Sequence, residues 1–592
     1  MTEAIDRREV LIAGGAAVVM GAAFTGDGAA RAAGSSADVI FHGGTVLTMI
    51  DDRQQVGAVA VKDGRILAAG DEAAILALKG DATKIVDLKG ATLMPSFIDA
   101  HGHFMNASQI VKWANVSGVP AGPVKNISDL IEVLMAHQTK FSVKPGEWII
   151  AYGYDVTSLA EGRQMTRDDL DPVFPDNPVM LIHSSNHGAV LNSAGFKAVG
   201  MDASTKTPPG GLILRKPGSE EPEGLLMETA FLPIFARMPR PSEAELLDTL
   251  DAAQQIYASA GITTCQEGAT HASDLAFLRK GADQGHFYLD IISLPFILEV
   301  PNFISEYFPN FKGGQGAIPD AASQSFGTYK NRLKLAGIKF VLDGSSQAKT
   351  AFWTKPLLTP GPAGEKDWRG APLFPPELVN KAAAEVFSKN IPVFCHCNGD
   401  AAIDMMIDAA RLAGVKADQD RRTTIIHSQF MRPDQLDSYA ELGFSPSFFT
   451  VHAFFWGDVH LENLGEERAF FLSPMKSALA KGLRCSNHND FSVTPVDPMR
   501  MVQSAVNRTS RKGVVIGPDE RVDVWQALKA LTIAPAWQIR EESTKGTIAE
   551  GKLADLVILD ANPMSVPIEK ITDIKVLETF KEGTSVYKRK AA

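Results

Sequence analysis

His101 and His103 close the run Met94-Pro95-Ser96-Phe97-Ile98-Asp99-Ala100-His101-Gly102-His103. On an extended strand, alternate side chains share a face, so both imidazoles can grip one cation. An H-x-H pair alone says little, because neighbouring histidines are common on surfaces and in cores. Four further residues strengthen the case: Lys339 in Gly337-Ile338-Lys339-Phe340, His396 in Pro392-Val393-Phe394-Cys395-His396, His427 in Ile425-Ile426-His427, and Asp490 in Ser486-Asn487-His488-Asn489-Asp490. Each stands at or near the end of a short β-type run. Imidazoles and a carboxylate meeting at one rim suit Zn2+ or a similar divalent ion, one or two per chain.

Lys339 poses a separate problem. An ammonium is repelled by cations, and a lysine buried in an apolar run is unfavourable, so it must be neutral, paired or modified. Carbamylation by CO2 makes it an anionic, bidentate bridge between two metals. An ion pair with Asp343 is the bland alternative, and Glu267, after Gly261-Ile262-Thr263-Thr264-Cys265-Gln266, is a competing carboxylate bridge.

Side chains so far apart in sequence need a scaffold that collects strand ends. Eight β-type runs alternate with helical stretches: Ser96 to His103, Gly261 to Gln266, Tyr288 to Pro295, Gly337 to Leu342, Ile391 to His396, Thr423 to His427, Phe444 to Phe449 and Leu483 to Asn487. The expected fold is α/β, a (β/α)8 TIM-like barrel over 95–545 whose strand ends converge on one mouth. The stretch 104–260 is too long for a crossover and is expected to hold an inserted subdomain. β-rich texture at both ends, 36–94 and 546–592, predicts one small β-sandwich domain built from both chain ends.

Composition narrows the function. The chain has 592 residues, 45% of them hydrophobic, and a net charge of -11. That charge opposes sequence-independent binding to nucleic acid or an anionic membrane and favours a small-molecule substrate. Four cysteines cannot make a disulfide framework, and Cys395 and Cys397 are expected to be packing residues. Residues 1–35 read as a twin-arginine-like signal, with Arg7-Arg8, an apolar stretch from Val10 to Phe24 and small residues around Ala30-Arg31-Ala32. The apolar stretch is shorter than the roughly 20 residues a membrane span requires. The expectation is an exported protein, periplasmic or secreted, without a stable membrane anchor. Homo-oligomers are compatible with a chain of this kind, although no interface is legible in it.

The ordered motifs resemble those of the metal-dependent amidohydrolase superfamily, in its amidohydrolase 3 branch. The marks are Pro95 to His103, Leu170-Asp171-Pro172 with Pro175-Asp176-Asn177-Pro178-Val179, Lys339 with Asp343-Gly344-Ser345, His396 with Gly399-Asp400-Ala401-Ala402, His427, and the closing Gly551-Lys552-Leu553-Ala554-Asp555-Leu556-Val557. The resemblance implies that His101, His103 and Asp490 hold a first metal, His396 and His427 a second, and modified Lys339 bridges them. Cys395-His396-Cys397-Asn398 and the His488-Asn489-Asp490 strand end depart from the usual contexts.

The chemistry expected from such a site is hydrolysis of a C–N bond in an amide, formamide or cyclic amide. A metal lowers the pKa of bound water from roughly 15.7 to about 7, which supplies hydroxide at neutral pH. Asp490 is the expected proton shuttle to the leaving nitrogen. His187, in His183-Ser184-Ser185-Asn186-His187-Gly188, is placed to polarise a carbonyl or stabilise an oxyanion, with His183 and Glu228 as further candidates. His452 and His488 are weaker candidates at the same mouth, and Phe448, Phe449, Phe454, Phe455 and Trp456 could wall a substrate site. Ester or lactone hydrolysis by the same site is the alternative chemistry. A non-catalytic, exported binding or regulatory protein is the alternative class.

Overall fold

Short buried runs, most of them apolar, form parallel strands: Phe97–Ile98, Ile262–Thr270, Asp290–Pro295, Ile338–Val341, Val393–Cys397, Thr424–His427, Ser445–Phe448 and Ser486–Asn487. Almost all their residues are buried, which is the pattern of parallel strands covered on both faces. The computed structural model describes residues 36–50, 53–235, 242–299 and 327–590. The expected export signal, 1–35, lies outside the described residues.

The fold is mixed α/β with several sheets. Phe97–Ile98, Ile262–Thr270, Asp290–Pro295 and Leu333–Leu335 lie side by side in parallel, with Tyr329–Lys330 antiparallel at the edge. Ile338–Val341 through Ser486–Asn487 form a second sheet, parallel throughout. The backbone pairing is therefore two arcs and not one continuous eight-stranded ladder. A parallel bridge between Phe296 and Lys339 joins the arcs at one seam. At the other seam the first and last strands are only two residues long, and their amides find a third segment. Ile98 donates to the carbonyl of Leu531 and Asn487 to that of Ala530, each at 2.9 Å.

Helix Asp400–Leu412 shows how the outer layer is made. Ala402, Met406, Ala409 and Ala410 recur at helical spacing and are fully buried, so the helix lies close against its neighbours. At the other arc, Gly261 has φ +84°, and a Cβ there would lie 2.8 Å from Val557 Cγ2, so only glycine fits that turn into Ile262–Thr270.

Between Phe97–Ile98 and Ile262–Thr270 the chain builds a separate sheet in the order Gly211–Arg215, Pro222–Glu228, Gly188–Leu191, Val179–His183, Ile149–Tyr154, Ala114–Asn115. It buries its own cluster, including Leu130, Leu134, Tyr154, Leu170 and Leu181. Trp456 Nε1 donates to Asp155 Oδ2 at 2.7 Å and ties this sheet to the segment after Ser445–Phe448.

The chain ends interleave in a further sheet. Its order is Thr584–Lys588, Val576–Lys581, Leu556–Leu559, Thr92–Pro95, Thr45–Leu47, Gln55–Val56. Phe41, from the neighbouring four-stranded sheet, meets Phe580 edge-on at 5.0 Å between ring centroids. A buried charge network fastens these ends to the parallel strands. Asp290 Oδ2 accepts from Lys545 Nζ at 2.6 Å and from Lys581 Nζ at 2.7 Å, and Lys581 also reaches Asp555 at 2.7 Å. Arg332 adds a contact to Asp290 Oδ1 at 3.0 Å.

Cys265, Cys395, Cys397 and Cys485 are free and buried. Among the described residues, no helix is long and apolar enough to cross a membrane.

Candidate metal centre

The site begins where the first strand runs out. Asp99 still donates its amide to Thr264, after which the chain turns through Ala100 and His101, and His103 stands at the N-cap of helix Phe104–Ile110. Room for His101 is made across the strand: a Cβ on Gly268 would fall 2.2 Å from His101 Cε1. His427 ends Thr424–His427 with φ 69°, and Asp490 has φ 51°, both in the left-handed region that non-glycine residues seldom adopt. Such backbone persists where surrounding structure over-determines it, often at functional sites.

One nitrogen each of His101 and His427 and one oxygen of Asp490 lie within 4.8 Å of one another, from residues far apart in sequence. His101 Nε2 is 3.5 Å from Asp490 Oδ1, and His427 Nε2 is 3.8 Å from Asp490 Oδ2. His103 Nε2 is 3.3 Å from Asp490 Oδ1, and His396 Nδ1 is 3.1 Å from His427 Nε2. Lys339 Nζ is 3.2 Å from His101 Nε2. The six residues expected from sequence to form the metal site are thus linked by a chain of close pairs, and three of them, His101, His427 and Asp490, converge on one point.

Asp343 does not pair with Lys339, as a simple ion pair between them would require. Its carboxylate accepts from the amides of Phe352, Asn398 and Gly399 at 2.8–2.9 Å, shaping the loop after Val393–Cys397. Glu267 Oε2 accepts from the amide of Met105 at 2.7 Å, and its Oε1 is 3.8 Å from His103 Nδ1, so it braces His103 and the adjoining helix.

The electrostatics match the donor set. Burial holds His101 and His427 well below the usual imidazole range, aided by Lys339 for the first and His396 for the second. Neutral imidazoles offer lone pairs. Burial alone would raise the Asp490 carboxyl, but His103, His101 and His427 hold it well below its ordinary value. Asp490 Oδ1 is buried without a well-formed hydrogen bond, which is a costly state for a carboxylate unless a cation satisfies it. The residues fit a divalent metal. Burial lowers His103, yet Asp490 and Glu267 outweigh it and raise it to about 9. Burial brings Lys339 down to about 8, against the pull of Asp490.

His187 stands beside this cluster, its ring centroid 5.9 Å from that of His396 and its Nδ1 3.1 Å from Glu228 Oε2. Burial opposes its protonation, but Glu228 raises its pKa overall. Glu228 also lines a cavity of about 560 Å³, with Leu212, Met227, Trp368 and Leu373 among its other walls. His183 is engaged elsewhere, with Nδ1 2.8 Å from Ser185 Oγ. His452 pairs with His460 at 3.0 Å and stacks on it, while Phe449 stands between His452 and His488 at ring distances of 4.4 and 4.8 Å.

Two contacts come from residues given little or no weight in the sequence. Gln266 Oε1 is 2.8 Å from His101 Nδ1, and His488 Nε2 is 3.0 Å from His427 Nδ1. The polar pair Gln266-Glu267 inside a β-type run is the sequence signal that could have marked Gln266, which the fold buries fully.

Comparison with known proteins bears on the family and the fold. The profile of the amidohydrolase family matches residues 84–587. N-substituted formamide deformylase from Arthrobacter pascens is 27% identical over 540 residues, 90% of this chain and 95% of the relative. The YtcJ protein of Bacillus subtilis, named as an amidohydrolase, is 25% identical over 567 residues, 93% of this chain and 99% of the relative. An uncharacterized metal-dependent hydrolase from Pyrococcus furiosus shares the fold with a TM-score of 0.66 at 23% identity, covering 89% of this chain and 100% of that structure.

Proposed function

Because the chain belongs to the amidohydrolase family, we propose that it is an exported, metal-dependent hydrolase that cleaves the C–N bond of a small amide, formamide or cyclic amide. The observation that carries this reading is the convergence of His101, His427 and Asp490 on one point. The deformylase relative supports the choice of bond. Export rests on the twin-arginine-like residues 1–35. The two parallel arcs are read as halves of one (β/α)8 barrel over 95–545, carrying an insert within 104–260 and a composite β-sandwich from 36–94 and 546–592.

His101, His103 and Asp490 would hold one cation, His396 and His427 a second, and carbamylated Lys339 would serve both. A divalent ion held there, Zn2+ first among the candidates, supplies an acidified water and a polarised carbonyl. Asp490 takes the proton from the attacking water and passes it to the leaving nitrogen. His187, anchored through Nδ1 by Glu228, keeps Nε2 for the substrate oxygen, where charge develops during attack. The cavity that Glu228 lines offers room for a substituent on the substrate.

A panel of N-formyl, N-acyl and cyclic amides, with esters and lactones alongside, tests the reaction on the metal-loaded full chain. Turnover of a C–N substrate, lost on chelation and restored by metal, is the expected result. Turnover of esters or lactones alone would move the reading to O-acyl bonds. Ligand binding without metal and without turnover would replace the enzyme with a binding protein.

Carbamylation has its own test. With its pKa near 8, Lys339 has an uncharged fraction at neutral pH. The Nζ lone pair can attack CO2, lose a proton and leave an N-carboxylate. Metal-loaded protein equilibrated with carbon-13 bicarbonate is expected to show a carbamate resonance that disappears in Lys339→Met. No such resonance in the wild-type chain would return the bridging role to Glu267 or leave the metals unbridged.

A further inference from the structure

Resting on the metal-hydrolase reading, we propose that Gln266 and His488 are positioning residues that hold His101 and His427 in the tautomers presenting Nε2 to the cation. A neutral imidazole carries its hydrogen on one nitrogen and its lone pair on the other, and the partner of the first decides the arrangement. The Nε2 atoms of His101 and His427 are the ones facing Asp490, at 3.5 and 3.8 Å. Their Nδ1 atoms face other partners.

For His101, both sides of the ring give the same answer. Nε2 faces Asp490 and Lys339, the residues assigned to the cation, so it is the nitrogen whose lone pair the cation takes. The hydrogen then sits on Nδ1, where Gln266 Oε1 accepts it at 2.8 Å. Gln266 is fully buried, so no water stands ready to take over that role.

For His427, the hydrogen bonds form a relay. His427 Nδ1 lies 3.0 Å from His488 Nε2, and His488 Nδ1 lies 3.1 Å from Ser447 Oγ, so a hydrogen on His427 Nδ1 has an acceptor whose own hydrogen can go to the hydroxyl. The relay ends on a hydroxyl that can accept, and His488 and Ser447 are both fully buried. With its hydrogen on Nδ1, His427 keeps a lone pair on Nε2, beside His396 Nδ1 at 3.1 Å, while the far nitrogen of His396 meets the carbonyl oxygen of Gly344 at 3.3 Å. Reversing the tautomer of His427 would put a hydrogen where the cation needs a lone pair and reverse the relay behind Nδ1. His488 is in neither metal's assigned ligand set, yet it lies directly behind one of the ligands.

The test uses the full chain, with Zn2+ alone as probe in chelator competition and nitrogen-15-labelled histidine spectra of the metal-free protein. The spectra are expected to show hydrogen on Nδ1 in His101 and His427. Hydrogen on Nε2 in both would overturn the proposal. Gln266→Leu and His488→Phe, which remove the acceptor, are expected to weaken Zn2+ binding by about 10- to 100-fold. Gln266→Glu and His488→Gln, which keep one, are expected to recover most of the affinity. Wild-type affinity in the Leu and Phe variants overturns the idea. So does an equal loss in the acceptor-keeping pair that follows the melting temperature of the metal-free chain, since that marks a packing role. Should His488→Phe fail to fold, Ser447→Ala is expected to shift affinity in the same direction by less, and no shift would count against the relay. A wild-type chain that takes up no Zn2+ while its spectra show the expected tautomers refutes the metal reading, a result separate from failure of the tautomer assignment.

Discussion

Asp490→Asn is expected to lower kcat by about two to four orders of magnitude while the chain stays folded, the usual range for loss of a positioned proton carrier. Asparagine keeps the shape of the side chain and one carbonyl oxygen, but it cannot take a proton from water and return it to a leaving nitrogen. His101 and His427 remain to hold metal, so the variant should bind Zn2+ more weakly without losing it. Metal content and turnover measured on the same preparation separate the two roles of Asp490. Loss of turnover in step with loss of metal would make it a ligand alone, whereas a fully loaded but inactive variant supports proton transfer. Turnover at the wild-type rate with metal in place would remove Asp490 from the reaction.

The second large effect lies away from the mouth. Asp290→Asn leaves Lys545 and Lys581 buried, each side chain about 2% exposed, without the carboxylate between them. Breaking one partner of a buried ion pair costs about 3–5 kcal/mol when a charge is left uncompensated; here Lys545 keeps Glu541 at 2.6 Å and Lys581 keeps Asp555 at 2.7 Å, so the loss is expected at the lower end of that range. Burial pushes the Asp290 carboxyl up, but Lys545 and Lys581 outweigh it and pull it well below its ordinary value of 3.8. A carboxyl depressed in the folded state contributes stability that is complete above the unfolded value and lost as pH falls through the folded one. The stability gap between wild type and Asp290→Asn is therefore expected to be constant near neutrality and to close only in strong acid, below pH 3.8. Unfolding of the metal-free protein by urea across a pH series measures this. A gap under about 1 kcal/mol at neutral pH, the scale of a surface pair, would mean that the network does not fasten the chain ends to the parallel strands.

The two predictions draw on different levels of information. His101, His103, Lys339, His396, His427 and Asp490 could be picked out before any coordinates. Each interrupts or ends a short apolar run, and a polar side chain of metal-binding type is unfavourable in such a place unless a partner or an ion satisfies it. Most of the eight runs were legible for a related reason: strands buried on both faces are rich in apolar residues, although Ser445–Phe448 and Ser486–Asn487 are exceptions. Asp290 was not singled out, because a lone aspartate at the start of a strand looks like any solvated loop residue. Only the return of Lys545 and Lys581 from the far end of the chain shows that it is buried and paired.

Local chemistry thus determined the donor types, the strands that carry them and the family resemblance. Tertiary structure decided which of those donors meet, that Asp343 serves backbone amides and leaves Lys339 to His101, and that His452 turns to His460. It also decided how the strands pair, in two arcs whose short outer members hand their amides to Ala530 and Leu531. The physical reason is range. Apolar periodicity and ligand type are properties of a few adjacent residues, whereas a hydrogen-bond partner for an imidazole nitrogen or a strand edge is chosen among all groups that folding brings within about 3 Å.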